Sequence, residues 1–145
     1  MESVESSCVC TSLRMATRSI NRLYDRALAE VGVRVTAYSI LSRLAEEGPM
    51  SVGRLAERLA MERTTCTREV SPLVNAGLVA MTRGSDRRVR MLQLTEFGAR
   101  KRAEAFPLWE GVQRRLADDF GDTDIISLLE RLRRLQASGD RLSPA

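Results

Sequence analysis

Arginine and threonine side chains are concentrated in two nearby stretches of this sequence, and both residue types can recognise nucleic acid. The first stretch is Arg63-Thr64-Thr65-Cys66-Thr67-Arg68, and the second is Asp86-Arg87-Arg88-Val89-Arg90. A guanidinium group forms paired hydrogen bonds with phosphate or guanine, and hydroxyl groups can bond to base edges. The two stretches therefore indicate DNA binding, whereas a solvated charged hairpin is the simpler alternative for the second.

The charge of the chain agrees with a polyanionic partner. The 145 residues carry a formal net charge of +4, which is a modest basic excess. The segment from Arg83 to Arg102 contains seven cations and two anions. The positive charge is therefore concentrated around the second stretch, where a nucleic acid would be bound.

Composition also excludes several classes of function. Histidine is absent, which removes Ser-His-Asp and Cys-His catalysis and the commonest zinc ligand. Three cysteines are too few for a disulfide framework. Residues 1–7 are polar and acidic, unlike a signal peptide, and no apolar run approaches the roughly 20 residues that span a bilayer. We expect a cytoplasmic protein that is not an enzyme, with no cofactor, no metal and no membrane partner.

Hydrophobic periodicity predicts a mainly α-helical chain of six helices with a two-stranded β-hairpin between the fourth and fifth. The predicted N-terminal caps of the second, third and fifth helices are Thr36, Ser51 and Thr95, and the predicted stops include Gly32, Gly77 and Gly121. The fourth helix, Glu62 to Ala76, contains the first Thr/Arg stretch. The strands Leu78 to Arg83 and Arg88 to Leu94 flank the turn Gly84-Ser85-Asp86. A helix-turn-helix followed by a β-hairpin is a winged helix, whose helix fits the major groove and whose hairpin arginines suit a narrow minor groove.

The helices at the two ends of the chain predict that the same single domain, 1–145, also forms a dimer. The winged helix-turn-helix occupies about 36–98, and long apolar helices at 7–31 and 99–137 flank it. A module this small cannot bury both flanking segments, so we expect them to form a helical dimerisation region of a two-fold homodimer. Residues 138–145 are expected to be a flexible tail.

Several motifs of this chain resemble the MarR family of bacterial transcription regulators. The matching segments are Ser51 to Leu59, Thr64 to Arg68, Gly77-Leu78-Val79, Asp86-Arg87-Arg88, and Leu94-Thr95-Glu96-Phe97-Gly98. The resemblance covers roughly Cys10 to Leu135. It implies a winged-helix homodimer that binds a palindromic operator on double-stranded DNA, usually represses, and is released by a small ligand or by thiol oxidation.

The resemblance also implies roles for particular residues. The helix from Glu62 to Ala76 becomes the recognition helix, and Arg88 becomes the wing residue that enters the minor groove. Asp86 is expected to orient Arg88 through a charge-assisted hydrogen bond. The predicted DNA-binding residues are Arg63, Thr64, Thr65, Thr67, Arg68, Asp86, Arg87, Arg88 and Arg90. Pro72 interrupts the regular hydrogen bonding of this helix, but it lies C-terminal to Arg68, beyond the residues that are expected to contact DNA.

The first helix carries candidates for a signal-sensing site. Cys10 and Tyr24 resemble the cysteine and tyrosine of the branch that senses organic hydroperoxides, although Arg14 stands where that branch has another tyrosine. A helix N-terminus and Arg14 favour a reactive thiolate. The alternative is that Cys10 is a small buried apolar residue. Arg14 or Arg18 could instead hold the carboxylate of an aromatic effector, or the arginines could form a solvated face or inter-subunit salt bridges.

Two further possibilities remain open from the sequence. Met15, Tyr38 and Trp109 are candidates for lining an effector pocket, although aromatic residues at helical spacing more often belong to a core. A winged helix can also serve as a protein-interaction module without reading a DNA sequence. Such a module would not need Arg88 on its wing.

Overall fold

The structure is a computed structural model, and it describes residues 8–144. Within that part of the chain it contains six α-helices, one 3-10 turn and three short strands. The helices are α1 (Val9–Leu28), α2 (Val35–Glu47), α3 (Val52–Arg58), α4 (Arg63–Asn75), α5 (Glu96–Phe120) and α6 (Asp122–Leu142), and the 3-10 turn is Ala29–Val31. The strands are β1 (Met50–Ser51), β2 (Val79–Arg83) and β3 (Arg90–Leu94). The predicted mainly helical winged-helix fold is confirmed.

The described chain divides into two compact units, the first ending at Trp109 and the second beginning at Glu110. In the first unit, one core joins α2, α3, α4 and the sheet through buried aliphatic side chains. This core includes Ile40, Leu41, Leu44, Val52, Leu55, Val70, Leu73, Val79 and Leu92. A second cluster of Leu28, Val33, Tyr38 and Ala105 joins the end of α1 and the first half of α5 to α2.

The second unit consists of the last part of α5 and the whole of α6. Gly121, with a φ of 103°, separates the two helices. No residue of α6 is buried in the single chain. Its large exposed apolar side chains include Ile126, Leu128, Leu129 and Leu135.

The three strands form one antiparallel sheet in the order β1-β3-β2. Leu92 of β3 pairs with Met50 of β1 on one side and with Met81 of β2 on the other. The predicted hairpin is therefore present, and β1 is an additional strand that the sequence did not predict. A strand of two residues is too short to produce a recognisable alternation of polar and apolar residues. β3 starts at Arg90 instead of Arg88, because the turn extends to Val89.

The C-terminal tail predicted for 138–145 is wrong for most of its length. α6 continues to Leu142, and the backbone N–H of Ser143 still donates to the carbonyl of Gly139. Gly139 lies inside the helix, where a glycine lowers helix stability by only about 1 kcal/mol relative to alanine. Within residues 8–144, no helix has both the length and the apolar character needed to cross a membrane. The predictions that concern residues 1–7 and Ala145 lie outside the described residues.

Candidate nucleic-acid interface

The helix α4 divides its residues between a buried face and an exposed face. Cys66, Val70 and Leu73 are buried in the core. The predicted contact residues Arg63, Thr64, Thr67 and Arg68 are exposed, and Thr65 is half-buried at the boundary. The Thr67 hydroxyl donates to the carbonyl of Arg63 at 3.0 Å, which leaves its oxygen lone pairs to accept hydrogen bonds. The exposed face thus presents two guanidinium groups and the hydroxyls of Thr64 and Thr67.

The turn before α4 is fixed by hydrogen bonds at both ends of α3. Ser51 caps the start of α3, as its hydroxyl accepts from the N–H of Arg54 at 3.0 Å. At the other end, the N–H of Met61 donates to the carbonyl of Ala56 at 2.8 Å, and that of Ala60 donates to Glu57 at 3.2 Å. This pair of bonds is a Schellman motif. It places the first turn of α4 at a defined angle to α3.

The wing is a hairpin whose tip is held by the side chain of Asp86. The Asp86 carboxylate accepts from the backbone N–H of Arg88 at 3.0 Å, and the Asp86 carbonyl accepts from the N–H of Val89 at 2.9 Å. The predicted partner of this carboxylate was the guanidinium of Arg88, and the structure shows the backbone of Arg88 in its place. The carboxylate therefore shapes the tip as an Asx turn. All four wing cations are exposed: Arg83, Arg87, Arg88 and Arg90.

The base of the wing is joined to α5 by the segment Leu94-Thr95-Glu96-Phe97-Gly98. The Thr95 hydroxyl accepts from the N–H of Gly98 at 2.9 Å and contacts the carbonyl of Gly77 at 2.6 Å. A Cβ atom on Gly98 would lie 2.0 Å from the carbonyl oxygen of Leu78. The threonine therefore caps α5, and the glycine lets α5 approach the start of β2. This contact fixes where the wing leaves the helical core.

The recognition helix and the wing are positioned by one common core. Leu73 of α4, Val79 of β2 and Leu92 of β3 belong to the same buried cluster. The structure thus places the two predicted groups of DNA-binding residues in the same unit, on elements that pack against each other. The contacts that each side chain makes with DNA remain predictions.

The candidate sensing residues of α1 are not all brought together. Cys10 and Tyr24 lie fourteen residues apart in one helix, which is roughly 21 Å at about 1.5 Å per residue. They cannot contact each other within one chain. Tyr24 is buried, which raises the pKa of its phenol, whereas Cys10 is exposed in the single chain. Cys10, Arg14 and Arg18 do share one shallow groove on the surface of α1.

Cys8 is a second exposed thiol that the sequence reasoning did not single out. It occupies the cap position before Val9. Hydrogen bonds from the side chain and backbone of Thr11 lower the pKa of the Cys8 thiol. The signal in the sequence was its place just before a helical stripe, where N–H groups favour a thiolate. Cys66 behaves in the opposite way, because burial raises the pKa of its thiol.

Of the three residues predicted to line an effector pocket, two lie close together in the structure. The rings of Tyr38 and Trp109 stack with centroids 5.6 Å apart, and both line a small cavity with Ser42 and Arg43. Met15 lies in the exposed part of α1, with 62% of its surface accessible. The prediction for Tyr38 and Trp109 therefore stays open, and nothing in the described chain places Met15 with them.

The described fold and surfaces define a winged helix-turn-helix protein, and comparisons with known proteins agree. Residues 36–82 match a family model described as a helix-turn-helix domain. The transcriptional regulator MosR of M. tuberculosis, solved in complex with DNA, is 32% identical, with a TM-score of 0.85 over 94% of this chain and 99% of that chain. A cysteine-to-serine mutant of MarR from E. coli, complexed with operator DNA, is similar in fold, with 17% identity and a TM-score of 0.81 over 92% and 99% of the chains.

A curated relative supports the same assignment. The uncharacterized HTH-type transcriptional regulator YwoH of Bacillus subtilis is 27% identical over 112 residues, which cover 77% of this chain and 82% of that protein. This chain belongs to the MarR family of winged helix-turn-helix transcription regulators. Its class is therefore that of DNA-binding transcription regulators.

Proposed function

We propose that this protein is a homodimeric repressor that binds a palindromic operator on double-stranded DNA. In each half-site α4 enters the major groove and the tip of the β2–β3 hairpin reaches the minor groove. The two half-sites lie about one helical turn, or roughly 34–36 Å, apart. The observation that carries this proposal is the exposed Thr/Arg face of α4 on the same core as a wing with four exposed arginines.

Within this proposal the contact residues divide into two groups. Arg63, Arg87 and Arg90 bind phosphates, which supplies affinity and orientation without sequence information. Thr64, Thr65, Thr67 and Arg68 lie at base edges or phosphates of the major groove. Asp86 contributes indirectly, because its bond to the backbone of Arg88 sets the direction in which that side chain leaves the turn.

The homodimer is supported by apolar surface that the single chain leaves uncovered. In α1, Val9, Leu13, Met15 and Ile20 are between 37% and 62% exposed. In α6, the exposed residues are Ile126, Leu128, Leu129 and Leu135. Large apolar side chains clustered on exposed helices are typical of protein–protein interfaces. Cyclic two-fold dimers are the commonest soluble oligomers.

The DNA-binding part of the proposal is tested with Arg88→Ala. Wild type and variant are titrated at fixed salt onto duplexes from the region upstream of the protein's own gene. Loss of a minor-groove arginine should weaken binding about tenfold, since a good base or groove contact contributes roughly 1–3 kcal/mol. Equal affinities would refute the role of the wing. If wild type binds no duplex in preference to unrelated DNA, the alternative of a protein-interaction module is favoured.

Release from DNA by a signal is the remaining part of the proposal. The signal is either oxidation of Cys10 or a small effector, such as an aromatic carboxylate, held by Arg14 or Arg18. Because Cys10 and Tyr24 are about four turns apart in α1, at about 3.6 residues per turn, a Cys10–Tyr24 contact requires Tyr24 of a second copy. Cys10 is exposed in the single chain, so its thiol is free to meet a residue of a second copy.

The redox route is tested by treating wild type and Cys10→Ser with an organic hydroperoxide. We expect wild type to lose DNA binding and the variant to keep it, with reversal by a thiol reductant. An identical response of both proteins would exclude Cys10 as the sensor. Cys8→Ser is the matched control, because Cys8 is also exposed and lies two residues away.

A further inference from the structure

A cluster of charged residues joins the ends of two helices beside the turn that leads into α4. Glu47 is the last residue of α2, and Arg58 is the last residue of α3. The Arg58 guanidinium donates from Nε to both carboxylate oxygens of Glu47, at 2.9 Å and 3.1 Å, and its Nη2 donates to Oε1 as well. A second guanidinium, that of Arg43, donates to the same carboxylate at 3.2 Å.

Helix stability alone does not account for a glutamate at this position. The C-terminus of a helix carries partial negative charge, so a carboxylate in the last turn of α2 is unfavourable for that helix. Exposed ion pairs also contribute little to the free energy of unfolding. A multi-point guanidinium–carboxylate pair instead supplies a fixed relative orientation of the two groups. Hydrogen bonding from Arg58 lowers the pKa of the Glu47 carboxyl below its ordinary value.

The orientation of this pair matters because Arg58 lies directly before the turn into α4. Only Leu59, Ala60, Met61 and Glu62 separate α3 from α4. The Schellman bonds of Ala60 and Met61 transmit the direction of the last turn of α3 to the first turn of α4. That first turn carries Arg63 and Thr64, which belong to the exposed contact face.

We propose that Glu47, acting through Arg58, is a positioning residue that sets the angle at which α4 meets the DNA. This inference rests on the proposed function. It predicts a change in DNA affinity opposite to the one expected from charge, because Glu47→Gln removes a negative charge. Electrostatics alone would then strengthen binding to a polyanion, whereas loss of positioning weakens it.

The chain offers a matched control for the change in charge. Glu57 is also a glutamate of this helix pair, but 73% of its side chain is exposed and it meets Arg54 through a single contact of 3.4 Å. Glu57→Gln thus changes the net charge by the same amount without removing a multi-point pair. The double variant Glu47→Gln/Arg58→Gln has the net charge of the wild type and lacks the pair.

The experiment measures affinity by fluorescence anisotropy at fixed salt for wild type, the three single variants Glu47→Gln, Arg58→Gln and Glu57→Gln, and the double variant. Each protein is titrated onto the upstream duplex that wild type prefers and onto an unrelated duplex of equal length. We expect Glu47→Gln to lose about three- to tenfold on the preferred duplex and nothing on the unrelated one. Glu57→Gln should lose nothing, and the double variant should stay as weak as Glu47→Gln.

Two results would overturn the inference. One is that Glu47→Gln binds the preferred duplex as tightly as wild type or more tightly. The other is that the double variant recovers the affinity that Glu47→Gln loses, since the loss then comes from the unpaired Arg58 guanidinium and not from the missing pair. Thermal melting of the free proteins separates positioning from folding, because a positioning role predicts melting temperatures close to that of wild type. If wild type itself shows no preference between duplexes, the proposed function fails, and the inference fails with it.

Discussion

Ala60 adopts a left-handed backbone conformation at the end of α3, with a φ of 53°. Among residues 8–144 it is the only residue other than glycine with a positive φ. The equivalent position after α4 is Gly77, with a φ of 77° and the same two Schellman bonds, made to Val74 and Leu73. An L-residue with a Cβ is strained in this region, whereas glycine is not. The turn between α3 and α4 therefore stores a small amount of strain that the turn after α4 avoids.

Ala60→Gly should raise the free energy of unfolding by about 0.5–1 kcal/mol, because relief of the left-handed strain exceeds the extra entropy of glycine in the unfolded chain. The measurement is the denaturant midpoint without DNA. Ala76→Gly is the control, because Ala76 is also an exposed alanine at the end of a helix, but its φ is −82°. There the same substitution should destabilise. A lower midpoint for Ala60→Gly than for wild type would contradict the argument.

Single residues also show what sequence reasoning missed. Thr36 looked like the cap of α2, but the N–H of Val35 donates to the carboxylate of Asp25 at 2.8 Å. Asp25 lies ten residues earlier, in α1, and its role depends on how α1 packs beside α2. Such a contact between elements cannot be read from local spacing. Ser51 and Thr95, in contrast, were predicted as caps from local pattern, and both are confirmed.

At the scale of elements, the crossing of α5 and β2 depends on Gly98. Gly98→Ala should destabilise the fold by about 3 kcal/mol or more, because the new Cβ would lie 2.0 Å from the carbonyl oxygen of Leu78 and both partners are held by hydrogen bonds. Denaturant unfolding measures the loss. Gly53→Ala, in α3, has open space around the new atom, with the Ser51 hydroxyl 4.0 Å away. It should not destabilise, and equal losses for both variants would refute the steric argument.

Elements with strong periodicity or clear end signals were predictable, and short or irregular ones were not. All six helices could be predicted from their apolar spacing and from stops such as Gly32, Gly77 and Gly121. β1 is too short to carry a pattern, and its pairing with β3 depends on tertiary packing within the first unit. The contact residues of α4 and the wing were named from type and position. The role of Asp86 at the backbone and the Glu47–Arg58 pair needed three-dimensional contacts.

At the scale of the whole molecule, the proposed dimer predicts a specific effect in α6. Leu135 and Ala137 are both exposed and lie two residues apart, so they point to nearly opposite sides of the helix. Leu135 is on the apolar side with Leu128 and Leu132. Leu135→Glu should produce monomers in light scattering and lower affinity for a two-half-site duplex about tenfold or more, since both half-sites no longer act together.

Ala137→Glu introduces the same charge on the other side of α6, and it should leave the protein dimeric with unchanged DNA affinity. If Leu135→Glu remains a dimer of wild-type affinity, this side of α6 does not form the interface. If wild type itself is monomeric at micromolar concentration, the homodimer proposal is wrong.

The lack of buried residues in α6 has a consequence for the life of the protein in a cell. An unassociated helix is marginally stable in water even when its sequence favours helix formation. In a chain that has not yet dimerised, α6 is thus an apolar, easily unfolded segment that proteases and chaperones can bind. Where folding and association are linked in this way, survival depends on protein concentration. Newly made regulator should be degraded quickly when scarce and slowly when abundant, so that turnover itself sets a threshold for control of its target.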